Sequence, residues 1–415
     1  MKMLWHKDKP IIEHLLETDT YKIFMLYFIW KFFPQLDVVF TFTNRTRRVR
    51  LAEEIDVAAL REQLAHVQLL RFDEAELRVL RELFPFPDAF IRALRELRLP
   101  PVNVSVTENG QLSIVARSRW FDVTLWELIV LPIVSELRAR AVFGNERSNH
   151  RRVIAAGEER LRAKADALRH GRWPILLFDL RRRLSGAWER HTSKMLLELL
   201  PERIAGVSNV RVAQELGVPA RGTNAHELPM ALTALRAHES AAAMRRAQVE
   251  VLEKWEELYG ARKDLLIMLP DTYGSAQFFD AVGAERLRRW RGVRQDSGDP
   301  VAFGEAIARR WQALHVNPRE KLILFSDGLT PQKMSALEER FSGRVSGGFG
   351  WGTNKGNDVP GLAPLSLVMK LTAAAGNPAV KLSDNIAKST GAPDAVDLYK
   401  DVFGYTESLC EEAVY

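Results

Sequence analysis

The second half of the chain alternates short apolar runs with helical segments, and this pattern constrains the fold more than any other feature. From Pro174 onward, each apolar run of strand length ends in a polar or glycine-bearing turn before a helical segment begins. This repetition predicts a parallel sheet, and about seven repeats favour a closed βα barrel over an open sheet. The predicted strands are residues 175–178, 204–207, a short strand near Gly222, 265–269, 290–294, 322–325 and 344–347.

The first half of the chain predicts a smaller α/β domain. An apolar helical run follows Asp19, and the alternation of Val38, Phe40 and Phe42 is typical of a half-buried strand. Three amphipathic helices are predicted between residues 52 and 99, and a hairpin over 102–115 turns at an Asn-Gly pair. Two further helices, over 121–142 and 145–170, link this domain to the barrel.

Composition excludes several classes of protein. With 415 residues, of which 47% are hydrophobic and 27% charged, the chain has enough core for two globular domains. The net charge of +6 comes from scattered arginines, without a recognition module or a basic helix, so nucleic-acid binding is not expected. The most apolar run, residues 23–30, is short and flanked by lysines, which favours a buried helix over a membrane span.

A single cysteine, Cys410, excludes an intrachain disulfide framework and a cysteine-based metal cluster. A reducing compartment suits such a chain, and we expect a cytoplasmic protein. The nine histidines show no metal-ligand spacing.

Polar residues follow every predicted strand of the barrel. Because the carboxyl ends of barrel strands meet at one mouth, these turns are expected to form a single site. They comprise residues 181–183, 208–209, 226, 271–273, 294 with 296–299, 326–328 and 347–353.

His226 is the residue around which the chemistry of these turns is arranged. It stands in a polar turn before a long helical run, where backbone N–H groups favour anions. A histidine there is suited to act as a nucleophile, a base or a phosphate contact. The alternative is a polar turn in which His226 only caps the helix.

The remaining turns suggest a phosphorylated ligand, although each has a structural alternative. The glycines of 347–353 and the pair Asp327-Gly328 are suited to cradle a phosphate, or else only form tight turns. The arginines 181–183 are suited to grip an anion, or else are surface charge. Asp271 and Asp296 suit ribose hydroxyls or Mg²⁺-pyrophosphate, whereas Asp299 before Pro300 also reads as an ordinary helix N-cap.

Taken together, eight short motifs resemble the nicotinate phosphoribosyltransferase family, in order and over nearly the whole chain. They are Asp19-Thr20-Tyr21-Lys22, Phe178 with Arg181-Arg182-Arg183, Ser208-Asn209, Gly222-Thr223 with Ala225-His226-Glu227, Asp271-Thr272-Tyr273, Arg294 with Asp296-Ser297-Gly298-Asp299-Pro300, Phe325-Ser326-Asp327 and Lys381-Leu382-Ser383-Asp384.

The resemblance implies an irregular seven-stranded βα barrel over residues 146–364. It is joined to an α/β domain formed by residues 1–145 and completed by about 365–415. The implied reaction condenses nicotinate with 5-phosphoribosyl 1-pyrophosphate to nicotinate mononucleotide and pyrophosphate, in NAD salvage. ATP hydrolysis is coupled to it through a phosphohistidine, which by motif match is His226. The resemblance also implies a homodimer with shared sites, and Mg²⁺ that accompanies pyrophosphate and ATP without a dedicated protein cage.

The resemblance also implies roles for individual residues. The implied catalytic residues are His226, Asp296, Arg294 and Glu227. The implied nicotinate contacts are Tyr21, expected from the partner subunit, Phe178, Ser208 and Arg181. The implied phosphoribosyl pyrophosphate contacts are Asp19, Arg182, Asn209, Thr223, Asp271, Ser326, Asp327, Gly328, Gly350, Gly352 and Thr353.

Three departures from the family pattern leave alternatives open. Asp179 adds a carboxylate before Arg181, Gln295 stands where relatives have histidine, and residues 385–387 lack a Pro-Gly pair. A catalytically weakened, nucleotide-binding paralogue is therefore an alternative to the active enzyme. A nicotinamide-preferring enzyme is another, although the neutral Ser208 stands where such relatives carry an acidic residue and so favours the acid substrate.

Overall fold

The computed structural model of the protein describes residues 3–407 and 409–411. Residues 412–415 of the predicted C-terminal segment lie outside the described residues. The described strands are β1 Asp37–Asn44, β2 Val102–Val106, β3 Leu112–Arg119, β4 Ile175–Leu177, β5 Ile204–Val207, β6 Ile267–Met268, β7 Gly292–Gln295, β8 Leu322–Phe325, β9 Ser346–Trp351, β10 Leu367–Ala374 and β11 Asn377–Pro378.

The helices cover both sheets. They are α1 Thr20–Phe32, α2 Leu51–Glu54, α3 Val57–Leu69, α4 Glu74–Leu83, α5 Asp88–Glu96, α6 Trp120–Val123, α7 Trp126–Phe143, α8 Arg147–Leu168, α9 Gly186–Leu199, α10 Val210–Leu216, α11 Glu227–Arg236, α12 Ala241–Tyr259, α13 Ser275–Ala281, α14 Ala284–Arg289, α15 Pro300–Ala313, α16 Pro331–Phe341 and α17 Pro393–Phe403. The region 52–99 holds four helices rather than three, because α2 is a separate single turn. None of the described helices meets the length and hydropathy needed to cross a membrane.

One sheet is antiparallel and combines both ends of the chain, in the order β11-β10-β1-β3-β2. Strand β1 lies at its centre, between β3 and β10, and buries the alternating Val38, Phe40 and Phe42 against the core. The predicted hairpin is confirmed as β2 and β3, with Gly110 in the left-handed region at φ 74°. A mixed α/β unit formed by N-terminal and C-terminal segments is therefore confirmed, whereas the exact domain boundaries stay a prediction.

The second sheet is parallel and has six strands, in the order β5-β4-β9-β8-β7-β6. The expected seventh strand near Gly222 does not form a ladder among the described residues. Instead, Ala220 makes a single bridge with Val207 of β5, and the side-chain amide of Asn224 donates to the carbonyl of Ile267 in β6 at 3.3 Å. The segment thus touches both edge strands, and closure of the sheet into a barrel stays a prediction.

The irregular segment near Gly222 lies in close contact with the start of α1. A Cβ added at Gly222 would lie 2.7 Å from the backbone nitrogen of Tyr21, so the start of α1 presses directly on this turn. Only glycine permits that distance. The contact brings the N-terminal helix against the mouth of the parallel sheet.

Candidate active site

A cavity of about 420 Å³ runs along the inward face of the parallel sheet. Because successive side chains of a strand point to opposite faces, alternate residues line it. On β4, β8, β9 and the residues that flank them, these are Pro174, Leu176, Phe178, Leu322, Leu324, Ser326, Ser346, Gly348, Gly350 and Gly352, and Gly347 lines the cavity as well. The glycines of β9 leave the interior open where larger side chains would fill it.

The walls of the cavity carry more positive than negative charge. The four acidic residues are Asp179, Asp264, Asp296 and Asp327, and the ten basic residues are Arg45, Arg181, Arg182, Arg221, Arg262, Arg291, Arg294, Lys370, Lys381 and Lys388. Such a surplus raises the local concentration of anions and suits a ligand with several phosphates.

His226 immediately precedes helix α11, but its side chain does not cap that helix. Its Nδ1 lies 3.0 Å from the hydroxyl of Thr272, and its Nε2 lies 3.0 Å from Asp296 Oδ2 and 3.0 Å from Lys381 Nζ. The capping alternative is therefore wrong, because both ring nitrogens are engaged by groups from other turns.

The environment of His226 keeps its ring neutral. Burial, the largest cause, lowers the pKa of His226 to about 4, and nearby Lys381 acts in the same direction, while Asp271 and Asp296 oppose it. At neutral pH the imidazole is therefore uncharged and holds a free electron pair on one nitrogen. A neutral ring is the form that attacks phosphorus.

Asp296 stands between His226 and the opposite wall of the cavity. Its Oδ1 accepts a hydrogen bond from the hydroxyl of Ser326 at 2.9 Å and lies 3.8 Å from Arg294 Nε. Burial alone would raise the pKa of Asp296, but Arg294 and His226 outweigh it and hold that pKa well below the usual range. Asp296 is about 30% exposed and stays an available carboxylate at neutral pH.

Tyr21 and Phe178 line the same cavity, together with a third aromatic residue, Phe24. Phe178 follows β4, and its backbone nitrogen donates to the carbonyl of Trp351 at 2.8 Å. Tyr21 reaches the cavity within its own chain because Gly222 admits the start of α1. A contribution of Tyr21 to the site of a partner subunit stays a prediction.

The predicted phosphate turns also come together. Thr223, Ser326, Asp327, Gly328, Gly350, Gly352 and Thr353 all line the cavity, as do Arg181, Arg182 and Arg294. Arg182 bridges two elements, since its guanidinium donates to the hydroxyl of Thr353 at 3.2 Å and to the carbonyl of Leu367 at 3.1 Å. Asp327 is bound to Lys388.

Four predicted site residues have side chains that lie behind the cavity wall rather than on it. Ser208 donates its hydroxyl to Asp19, and both are buried. The side-chain amide of Asn209 donates to Glu189 at 3.1 Å. Asp271 accepts from Ser297 at 2.6 Å through one oxygen, and its other oxygen lies 3.4 Å from His226 Nε2. A turn at the end of a strand thus locates the backbone but not the direction of each side chain.

Glu227 also points away from the cavity. Its carboxylate is bound to Lys22 and accepts hydrogen bonds from the indole of Trp120 at 2.5 Å and the hydroxyl of Thr124 at 2.6 Å. The group is buried within the N-terminal part of the fold. This geometry fixes the start of α11, while the catalytic role expected for Glu227 stays a prediction.

The two single residues that depart from the family pattern each contact a partner nearby. Asp179 forms a buried ion pair with Lys355 at 2.8 Å, which neutralises its charge. Gln295 donates to the carbonyls of Ser297 and Gly298, at 2.9 and 3.1 Å, and so braces the turn after β7.

The altered loop forms a short 3₁₀ turn over Ile386–Lys388. Asn385 stands before it and exchanges hydrogen bonds with the backbone of Glu411, at 2.8 and 3.1 Å. The C-terminal segment therefore holds this loop in place.

None of the three lysines that line the cavity, Lys370, Lys381 and Lys388, was predicted as a site residue. Lys381 contacts His226, and Lys370 lies on β10, two residues after Val368 on the same face. A lone lysine in the apolar run of β10 was the signal that could have identified Lys370, since a buried charge requires a partner or a ligand.

This cavity, at the carboxyl ends of parallel strands and rich in cations and glycines, defines an enzyme that handles phosphorylated small molecules. Comparison with known proteins specifies the class. Residues 175–407 match the model of the nicotinate phosphoribosyltransferase (NAPRTase) family, and residues 16–135 match that of its N-terminal domain. The chain belongs to the nicotinate phosphoribosyltransferase family.

Solved structures agree with this assignment. A nicotinate phosphoribosyltransferase from Porphyromonas gingivalis is 33% identical, with a TM-score of 0.85 over 95% of this chain and 100% of that one. One from Vibrio cholerae is 29% identical, with a TM-score of 0.86 over 97% of this chain and 96% of that one. The family and these neighbours support phosphoribosyltransferase activity.

Proposed function

We propose that this protein condenses nicotinate with 5-phosphoribosyl 1-pyrophosphate, and that ATP hydrolysis drives the reaction through phosphorylation of His226. The observation that carries the proposal is a neutral, buried His226 held between Thr272, Asp296 and Lys381 on the wall of a cation-lined cavity. Family membership supports the transfer reaction, and the environment of His226 supports the coupling to ATP.

The proposed phosphorylation forms one bond to phosphorus and breaks another. A ring nitrogen of His226 attacks the γ-phosphorus of ATP, the N–P bond forms, and the bond from phosphorus to the ADP oxygen breaks. Water later cleaves the N–P bond and releases phosphate. Lys381, which lies 3.0 Å from Nε2, is placed to pair with the added negative charge.

The proposed sugar transfer needs positioning more than covalent chemistry. The ring nitrogen of nicotinate bonds to C1 of the ribose while the C1–O bond to pyrophosphate breaks, through an oxocarbenium-like state. Asp296 is suited to bind the ribose hydroxyls, and Arg294 and Arg182 to bind phosphate. Tyr21 and Phe178 offer faces on which the flat pyridine ring stacks.

Mg²⁺ is part of the proposal as the partner of pyrophosphate and ATP. His226, Asp271 and Asp296 offer ligand atoms within 4.8 Å of one another, but the ammonium of Lys381 already lies 3.2 Å from Asp271. These residues fit an ion held mainly by phosphate oxygens, with the partly exposed Asp296 as its protein ligand. Such an ion would offset the charge of the departing pyrophosphate.

Asp179 is paired with Lys355, and Gln295 donates to the backbone of the turn that follows it. Neither residue places an unpaired charge in the cavity, which favours the active enzyme over a weakened paralogue. A place in cytoplasmic NAD salvage and a homodimer are further parts of the proposal. The homodimer rests on the family resemblance alone.

The test is mononucleotide formation by the purified protein with phosphoribosyl pyrophosphate and Mg²⁺. Nicotinate and nicotinamide are compared, each with and without ATP. Product from nicotinate that increases with ATP is expected. A preference for nicotinamide would support the nicotinamide-using alternative, and no product from either base in a folded sample would support the paralogue.

A further inference from the structure

Lys370 and Arg181 share one oxygen of Glu127. Lys370 Nζ lies 2.9 Å from Glu127 Oε1, and Arg181 Nη1 lies 3.7 Å from the same atom. The other oxygen of Glu127 lies 3.0 Å from Lys22 Nζ. Glu127 is only 3% exposed, whereas Lys370 and Arg181 are 21% and 39% exposed and both line the cavity.

Within ion-pair distance, this cluster holds one more cation than carboxylates, while Asp19 and Asp296 act on Arg181 from longer range. Lys22 is fully buried and also ion-pairs with Glu227, so two carboxylates face three cations. Because Lys22 has no exposed surface, the surplus charge is presented to the cavity by Lys370 and Arg181. A partly desolvated cation of this kind gains from an anionic ligand.

The surplus lies beside the aromatic part of the cavity. Lys22 follows Tyr21 directly, and Arg181 is three residues after Phe178. A flat ring stacked on these residues would present a substituent to the cations. Ser208, the residue expected to read that substituent, is instead buried against Asp19 and does not line the cavity.

We propose that Lys370 is a specificity-determining residue which, with Arg181, binds the carboxylate of nicotinate, and that Glu127 is the residue that positions both cations. This inference rests on the proposed function. A neutral amide in the same place would leave the surplus charge without a counter-ion, so nicotinamide is disfavoured. Discrimination between nicotinate and nicotinamide then depends on Lys370 of β10 rather than on Ser208 in the turn after β5.

The test compares the unmodified protein with Lys370→Gln, Lys370→Arg and, as a control, Lys400→Gln at a partly exposed lysine on α17. For Lys370→Gln, loss of a charge-assisted hydrogen bond is expected to raise KM for nicotinate about 10-fold. KM for phosphoribosyl pyrophosphate should stay within about twofold, as it does when an interaction with only one substrate is removed. Lys370→Arg should restore most of the preference for nicotinate over nicotinamide, and Lys400→Gln should leave it unchanged.

Equal changes in KM for both substrates, or an unchanged KM for nicotinate in folded Lys370→Gln, would overturn the inference. Lys370→Met serves as a second variant if the glutamine variant does not fold. Calorimetric titration with nicotinate distinguishes a failure of the proposed function from a failure of the role of Lys370. A protein that binds nicotinate but does not convert it would refute the proposed function alone, whereas equal Kd values for the unmodified and Lys370→Gln proteins would refute the role of Lys370.

Discussion

Lys381 Nζ lies 3.0 Å from Nε2 of His226, and the same ammonium lies 3.2 Å from Asp271 Oδ2. Lys381 belongs to the C-terminal segment, whereas His226 follows the irregular segment near Gly222, between α10 and α11. A cation from one end of the chain therefore faces the proposed nucleophile of the parallel sheet. This contact joins the two parts of the fold at the site itself.

The contact predicts how His226 titrates. Because burial and Lys381 both lower the pKa of His226, to about 4, its ring should stay neutral down to about pH 5, where an ordinary histidine with a pKa near 6.5 is mostly protonated. Lys381→Met removes one of these causes and should raise the pKa, while burial keeps it below 6.5. Nitrogen NMR of the histidine ring measures both values, with Lys400→Met as the control. A pKa that is unchanged or lower in Lys381→Met would contradict the assignment.

The proposed phosphohistidine predicts the phenotype of His226→Ala. This variant should lose ATP hydrolysis and the stimulation by ATP, because no ring nitrogen remains to accept the phosphoryl group, while some ATP-independent synthesis survives at high substrate concentration. Phosphate release and mononucleotide formation are measured in the same reaction. The exposed His238 provides a matched control, since His238→Ala should retain the coupling. Unchanged stimulation by ATP in His226→Ala would remove this residue from the mechanism.

The buried pair of Asp179 and Lys355 predicts a non-additive effect on stability. Both side chains are at most 1% exposed, so Lys355→Met leaves a buried carboxylate without its counter-ion and should cost about 3–5 kcal/mol of unfolding free energy. Replacing both residues, as in Asp179→Leu with Lys355→Met, removes the unpaired charge and should cost less than the single lysine change. Thermal and urea denaturation give the order of stabilities. A double variant that is less stable than Lys355→Met would show that the pair is not coupled as described.

Two glycines that line the cavity should respond differently to a methyl group. At Gly222 the new Cβ would lie 2.7 Å from the backbone nitrogen of Tyr21, so Gly222→Ala should cost about 1–3 kcal/mol and raise KM for nicotinate. At Gly348 the nearest atoms would lie 3.5 Å away, which is ordinary contact, so Gly348→Ala should change stability by less than about 1 kcal/mol. Equal stability of the two variants would argue against close packing of α1 on the turn at Gly222.

The sequence allowed the turns of the site to be predicted but not the direction of every side chain within them. His226, Asp296 and Ser326 meet because the carboxyl ends of parallel strands share one edge, which is a property of the backbone. Ser208 and Asn209 follow β5 at the same level, yet their side chains bind Asp19 and Glu189 behind the wall. Such choices depend on partners from α1 and α9, whose positions are not encoded in the local pattern.

The same limit applies to the strand near Gly222 and to Lys370. Local residues suggested a strand at Gly222, but this segment makes only an isolated bridge to β5 and lies against Tyr21, about two hundred positions earlier in the chain. Lys370 reaches the cavity because β10 pairs with β1, a long-range pairing that a motif does not reveal. The motif around Lys381 was recognised, whereas its contact with His226 became visible only in three dimensions.

The central position of β1 between β3 and β10 has a consequence for biosynthesis. While the ribosome is still translating the parallel sheet, β1 has hydrogen-bonding partners on one edge only, and its other edge waits for Leu367–Ala374. Until then the nascent chain exposes an unpaired strand edge, a form that promotes aggregation. The same late strand brings Lys370, so protection of that edge and completion of the cavity occur in one folding step.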